Sequence, residues 1–77
     1  MKLSRHVRNN MRLYGFGEND IRSAISAPDK LESVEGNVIA IKSFAGRFSD
    51  YPLKVVYKNN GEIYVITAYP LKKAFKR

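Results

Sequence analysis

The chain has 77 residues, no cysteine, and 14 lysines and arginines against 7 acidic residues, which gives a formal net charge of +7. This length fits a single domain spanning residues 1–77, and the lack of cysteine excludes disulfides and thiolate metal sites. No apolar run reaches the roughly 20 residues of a membrane span, and the N-terminus lacks a signal-peptide block, so we expect a soluble, cytoplasmic protein without membrane attachment.

The positive charge is concentrated at the two ends of the chain. Residues 1–12 and the basic tail 72–77 each contain four basic residues and no acid. Clustered cations favour polyanionic partners such as nucleic acid, an acidic protein or an anionic membrane. The alternative is that the charge serves only solubility.

Two helices are predicted in the N-terminal third, at about 4–14 and 18–27. Ser4 is a suitable N-cap for the first helix, and Gly15 is a suitable residue just after its end. The apolar stripe of this helix consists of Leu3, Val7, Met11 and Tyr14. His6, the only histidine, falls on the flank of the stripe, at the boundary between core and solvent.

From about residue 31 the apolar residues alternate with a period of two, which predicts strands. The predicted strands cover about 31–35, 38–44, 53–59 and 62–69. One face of the resulting sheet is apolar and the other is mixed and carries lysines, so helices are needed on one side only. The predicted fold class is α+β, with two N-terminal helices packed on one face of a four-stranded antiparallel β-meander.

The last two strands form the clearest predicted hairpin. Asn60-Gly61 suits a two-residue type I′ turn, which places Tyr57 opposite Tyr64. In this register Tyr69 lies diagonal to Lys54 on the mixed face.

Few kinds of chemistry are compatible with these residues. One histidine and scattered carboxylates give no metal-ligand pattern, and no glycine-rich loop joins a strand to a helix, so we expect neither metal nor cofactor. Cleavage of RNA by its own 2′-hydroxyl needs only a base, an acid and cations, and imidazole transfers protons at neutral pH. On position alone, the favoured alternative is that His6 is a hydrogen-bonded boundary residue.

The segment FAGRFSDYPLK combines aromatic and cationic side chains as single-stranded RNA requires, because rings stack on bases and cations bind phosphates. These side chains are Phe44, Arg47, Phe48, Tyr51 and Lys54. The alternative is a loop with aromatic side chains tucked beneath it. In the same way, Tyr69 can simply end the last strand.

The segments SRHVRNNM…YGFGENDIRSAISAPDKLE and LKVVYKNNGEIYVITAYP together resemble a small prokaryotic family of unknown function. That family is grouped with the barnase–EndoU–colicin–RelE class of metal-independent ribonuclease folds. The likeness extends from Ser4 to Pro70. It rests on an ordered set of a helical histidine segment, a glycine turn, an acidic second helix and a terminal hairpin.

The resemblance implies a RelE-like fold with RNA, free or ribosome-associated, on the sheet face opposite the helices. It also implies a toxin of a toxin–antitoxin system, restrained by an acidic antitoxin protein. The opening histidine of the family matches His6, and the end of its last strand matches Tyr69, which makes these two the catalytic candidates. The candidate phosphate- and RNA-binding residues are Arg47, Lys54, Arg5 and Arg12.

The leading hypothesis is therefore a metal-independent endoribonuclease, acting as a monomer or weak homodimer. Relatives often have an arginine where this chain has Tyr14, which leaves open a domain that binds RNA without cutting it. The rivals are a non-catalytic protein-binding module of a phage or mobile element, and sequence-independent nucleic-acid binding through the basic ends.

Overall fold

A computed structural model describes residues 1–46 and 51–71 of the chain. In chain order the elements are β1 (Lys2–Leu3), α1 (Arg5–Tyr14), α2 (Glu18–Ser26), β2 (Lys30–Val34), β3 (Asn37–Lys42), β4 (Leu53–Asn59) and β5 (Ile63–Pro70). They form one sheet in the order β1-β5-β4-β3-β2. The α+β class with two helices is confirmed. The predicted basic tail 72–77 lies outside the described residues.

The sheet has five strands and is mixed, whereas four antiparallel strands were predicted. β2 to β5 form an antiparallel meander, but β1 adds a short parallel strand beside β5, with Lys2 paired to Tyr64 and Leu3 to Val65. A strand of two residues is too short to show an alternating pattern, and for this reason the sequence does not reveal it.

Local signals set the ends of both helices. The Ser4 hydroxyl accepts a hydrogen bond from the Val7 amide at 3.1 Å, so the predicted N-cap of α1 is confirmed. Gly15 follows α1 with φ 76°, the left-handed conformation that glycine adopts without a steric penalty. At the start of α2, the Gly17 amide donates to the Asp20 carboxylate at 2.9 Å.

The hairpin of β4 and β5 is paired differently from the predicted register. Asn59 pairs with Ile63, so three residues form the connection, and the two-residue type I′ turn is wrong. The ladder then shifts again between Val56 and Tyr57, because Ile66 is an extra residue in β5. Because of this β-bulge, the side chains of β5 before Ile66 alternate between the two faces in the opposite phase to those after it.

The three-residue connection and the bulge together change the surroundings of three side chains. Tyr57 pairs with Val65 instead of Tyr64, which is 43% exposed and lies outside the core. Lys54 lies directly opposite Tyr69 and not diagonal to it. The bulge thus buries Val65 while it places Tyr69 beside Lys54 on the other face.

The hydrophobic core lies between the two helices and one face of the sheet. Its buried members are Val7, Phe16, Ile21, Ala24, Ala40, Leu53, Val55, Tyr57, Val65 and Ala68. Both helices contribute to this one cluster, since α1 packs on β5 and α2 packs on β3 and β4. Within the described residues, no helix covers the opposite face of the sheet.

Hydrogen bonds from the N-terminal segment complete the outer edge of β5. The Ser4 amide donates to the Val65 carbonyl at 3.1 Å, and the Ser4 hydroxyl donates to the Ile66 carbonyl at 2.7 Å. Farther along, the buried Asn10 side chain donates to the Ala68 carbonyl at 3.1 Å. These contacts satisfy edge carbonyls that would otherwise need water or another strand.

We predict that Asn10→Ala destabilises the fold by about 1–3 kcal/mol, because the buried Ala68 carbonyl loses its donor. The measurement is urea unfolding followed by circular dichroism. Asn9→Ala is the matched control, since Asn9 is exposed in the same helix and the change in helix propensity is the same. Equal free energies of unfolding in the two variants would show that the Asn10 contact contributes nothing.

Candidate nucleic-acid interface

The sheet face turned away from both helices, called here the open face, is formed by alternate residues of β2 to β5. By register two complete rows are Lys30–Ile41–Lys54–Tyr69 and Glu32–Ile39–Val56–Thr67, and a third row contains the pairs Val34–Asn37 and Lys58–Tyr64. Each strand places its intervening residues toward the core, as the buried trio Ala40, Val55 and Ala68 illustrates. The rows therefore bring together side chains from four segments of the sequence.

Lys54 and Tyr69 form the clearest local contact on the open face. The Lys54 ammonium nitrogen lies 5.7 Å from the centroid of the Tyr69 ring. This distance is within the range of a cation–π interaction, in which the ring quadrupole attracts the positive charge. Both side chains are only partly exposed. Two residues selected from the sequence are thus brought together, one cationic and one aromatic.

The open face is positive at its margins and aliphatic at its centre. Lys30 and Lys58 are exposed, and Lys2 joins the face through its pairing with Tyr64. The central side chains, Ile39, Ile41 and Val56, are partly exposed. Among the described residues of the face, Glu32 carries the only negative charge against four lysines. A polyanion therefore meets a net attractive surface there.

His6 lies on the exposed flank of α1, beside the edge of β5. Its Nε2 atom is 3.5 Å from Nδ2 of Asn10, and the same Nδ2 donates to the Ala68 carbonyl. Because Asn10 presents an N–H group, this long contact forms with His6 when Nε2 carries a lone pair. The contact links His6 to the residue that immediately precedes Tyr69, but it does not place the imidazole on the open face.

The other predicted cations are distributed differently. Arg5 and Arg12 are exposed and project roughly opposite to the buried Val7, so they lie on the side of α1 that faces away from the sheet. Arg12 donates to the Asn9 side chain at 3.3 Å. Neither arginine joins Lys54 and Tyr69. Arg47 lies outside the described residues.

A second positive surface lies on the helix side of the molecule. A shallow groove between β1, α1 and the start of α2 is lined by Leu3, Arg8, Met11, Arg12 and Glu18. It contains a carboxylate, and Glu18 forms an ion pair with Arg22 at 3.2 Å. The mixed charge makes this groove a poorer site for a polyanion than the open face.

The sequence did not identify several residues of the open face. Lys2 was missed because β1 was not predicted, and Lys30 was missed because the first strand was predicted to begin after it. Ile39 and Ile41 were predicted within a strand, but only the register shows that they share a face with Lys54. The sequence does contain the odd–even alternation of side chains along each strand. This alternation shows which residues share a face only when the register between the strands is known.

Two further observations concern metals and membranes. Within residues 1–46 and 51–71, no three histidine, cysteine or carboxylate side chains are grouped closely enough to hold a metal ion. Neither described helix has the length and apolar character that crossing a bilayer requires.

Comparison of the chain with protein-family models, with curated proteins and with solved structures yields no match. The function of the chain is therefore inferred from the geometry and the chemistry of the open face.

Thr67 provides a test of how the open face is packed. Its hydroxyl oxygen is buried and has no hydrogen-bond partner, although the Thr67 residue as a whole is only partly buried. We predict that Thr67→Val stabilises the fold by about 1 kcal/mol, because the valine keeps the shape and removes an unsatisfied polar atom. The free energy of urea unfolding is the measurement, and a loss of stability would show that the hydroxyl is bonded in solution.

Proposed function

We propose that this chain is an RNA-directed domain that binds single-stranded RNA on the open face of its sheet. The observation that carries the proposal is the pairing of Lys54 with Tyr69 on a lysine-bordered face that neither helix covers. Single-stranded RNA needs cations for its phosphates and planar rings for its unstacked bases. The open face supplies both kinds of side chain.

Binding replaces one interaction of Tyr69 with another. In the free protein the Lys54 ammonium group lies near the ring face that a base would occupy. An incoming base stacks on the ring, and the displaced ammonium group binds an adjacent phosphate. The exchange retains the positive charge near the strand and adds a stacking contact, which explains why the two residues are useful as a pair.

The finer proposal is that the domain is a metal-independent endoribonuclease, acting as a toxin held in check by an acidic antitoxin. In that reaction His6 takes the proton of the 2′-hydroxyl group, whose oxygen attacks the adjacent phosphorus to form a 2′,3′-cyclic phosphate. The bond from phosphorus to the 5′-oxygen breaks, and the leaving 5′-oxygen takes up a proton from water. Since the imidazole lies at the β5 edge and not on the open face, this reaction requires the RNA to pass from the open face over that edge. Lys54 then offsets the charge that develops on the phosphate oxygens. The connection of His6 through Asn10 to β5 supports this role, because it holds the imidazole near the end of the strand that carries Tyr69.

One observation favours a second function, a non-catalytic module that binds a protein. The centre of the open face is aliphatic, with Ile39, Ile41 and Val56 partly exposed between the lysines. Aliphatic side chains bury well against a protein partner but offer no ring for a base. This function predicts association that does not depend on Tyr69.

For RNA binding, we predict that Tyr69→Leu weakens the affinity for a short single-stranded RNA by roughly 5- to 150-fold, the effect of losing one base stack. Lys54→Ala should lower the slope of log affinity against log salt by about 0.7, because one phosphate contact is lost. Fluorescence anisotropy of a labelled oligonucleotide across a salt series measures both quantities.

Arg22→Ala is the matched control for this binding experiment. It removes one positive charge from the helix side, where Arg22 is paired with Glu18. It should alter the affinity only slightly. Equal losses in the Lys54 and Arg22 variants would show that binding responds to net charge and not to the open face.

For catalysis, we predict that the protein cleaves RNA in excess EDTA and that His6→Ala abolishes the cleavage without unfolding the domain, since His6 is exposed. Leu13→Ala is the control, because Leu13 is another exposed residue of α1. Gel analysis of total RNA and of intact ribosomes gives the readout.

The possible results of the cleavage experiment separate the two functions. Cleavage that persists in the His6 variant would remove His6 from the mechanism. Intact RNA with and without ribosomes, together with Tyr69-dependent binding, would reduce the function to RNA binding alone.

A further inference from the structure

We infer that the outer edge of β2 pairs with β2 of a second copy of this chain, antiparallel and with the two-fold axis at Leu31. The two copies then form one continuous sheet. This inference concerns the edge of the sheet opposite to β1, and it does not depend on the proposed RNA binding.

The first observation is the contrast between the two edges of the sheet. The β5 edge is completed by β1, Ser4 and Asn10, whereas in the described part of the chain β2 pairs only with β3. All five residues of β2 are exposed. An edge with free N–H and C=O groups is a template for another strand.

The turn between β2 and β3 shows which groups are free. Val34 pairs with Asn37 across a two-residue turn in which Glu35 and Gly36 both have positive φ, the pattern of a type I′ hairpin. The two residues that flank such a turn exchange backbone hydrogen bonds with each other, and every second pair along an antiparallel ladder does the same. The residues of the pairs in between direct their N–H and C=O groups away from the partner strand. The N–H and C=O groups of Leu31 and of Ser33 therefore point outward, toward a second copy.

The apolar pattern gives a reason for this edge to be covered. Leu31 lies at the end of a core-facing row in which Ala40, Val55 and Ala68 are fully buried, yet Leu31 itself is 56% exposed. Pairing about Leu31 places the two leucines against each other and continues the apolar row from one copy into the next. Burial of this kind is favourable in proportion to the apolar area that leaves water.

Charge determines the alignment of the two strands. An axis at Leu31 places Lys30 of each copy opposite Glu32 of the other, both on the open face. An axis at Lys30 or at Glu32 would place like charges opposite each other, as would parallel pairing in register. Directly opposite charges stabilise a strand pair and like charges destabilise it. The sequence Lys-Leu-Glu is thus self-complementary in a single antiparallel alignment.

Pairing of two short strands buries little area, so we expect a weak dimer whose population rises with concentration in the micromolar range. Sedimentation velocity over a concentration series measures the dissociation constant. Lys30→Glu and Glu32→Lys should each weaken the dimer at least tenfold. The double variant with both changes should restore the affinity to within about threefold, because it re-creates the two opposite pairs.

Leu31→Lys should abolish the dimer by placing two charges at the axis, and circular dichroism should show a folded monomer because Leu31 is exposed. Leu13→Lys is the matched control, since it makes the same change at an exposed leucine of α1. A wild-type chain that stays monomeric at all concentrations would overturn the inference. A dimer that survives Leu31→Lys, or one that the double charge exchange fails to restore, would overturn it equally.

Discussion

The architecture depends on how the outer edge of β5 is satisfied. Two residues of β1 pair with the strand, and the side chains of Ser4 and Asn10 bond to the carbonyls beyond them. These contacts hold α1 against β5, on the same side of the sheet as α2. One layer of helices then covers the core, and the opposite face of the sheet is not covered by either helix.

The open face shows how a small change in strand geometry affects a binding surface. Without the extra residue Ile66, Val65 and Tyr69 would lie on the same face of the sheet, because they are four residues apart in β5. The bulge buries Val65 and brings Tyr69 into direct register with Lys54. Bulges re-aim side chains in this way because they change the face to which every later residue points. The position of the proposed RNA-binding pair therefore depends on this insertion together with the three-residue connection between β4 and β5.

The parts that could be predicted from the sequence are those with local causes. The capping of α1 by Ser4, the turn at Gly15 and the alternation along β4 depend on near neighbours. The strand β1 and the bulge depend on pairing with distant segments, which no local pattern reveals. For the site, Lys54 and Tyr69 were selected correctly as neighbours, but their direct pairing and the contributions of other lysines required the register. His6 was placed on the correct flank, and the role of Asn10 as a donor to β5 was not foreseen.

NMR mapping of the surface that contacts a short single-stranded RNA tests most directly whether the open face binds RNA. Binding on the open face predicts that the amide shifts of β4 and β5 change during the titration, with the largest changes near Lys54 and Tyr69, while the signals of α1 stay in place. Changes confined to Arg5 and Arg12, with the sheet unaffected, would contradict it. Binding would then occur on the basic helix, and the open face would have to serve another partner.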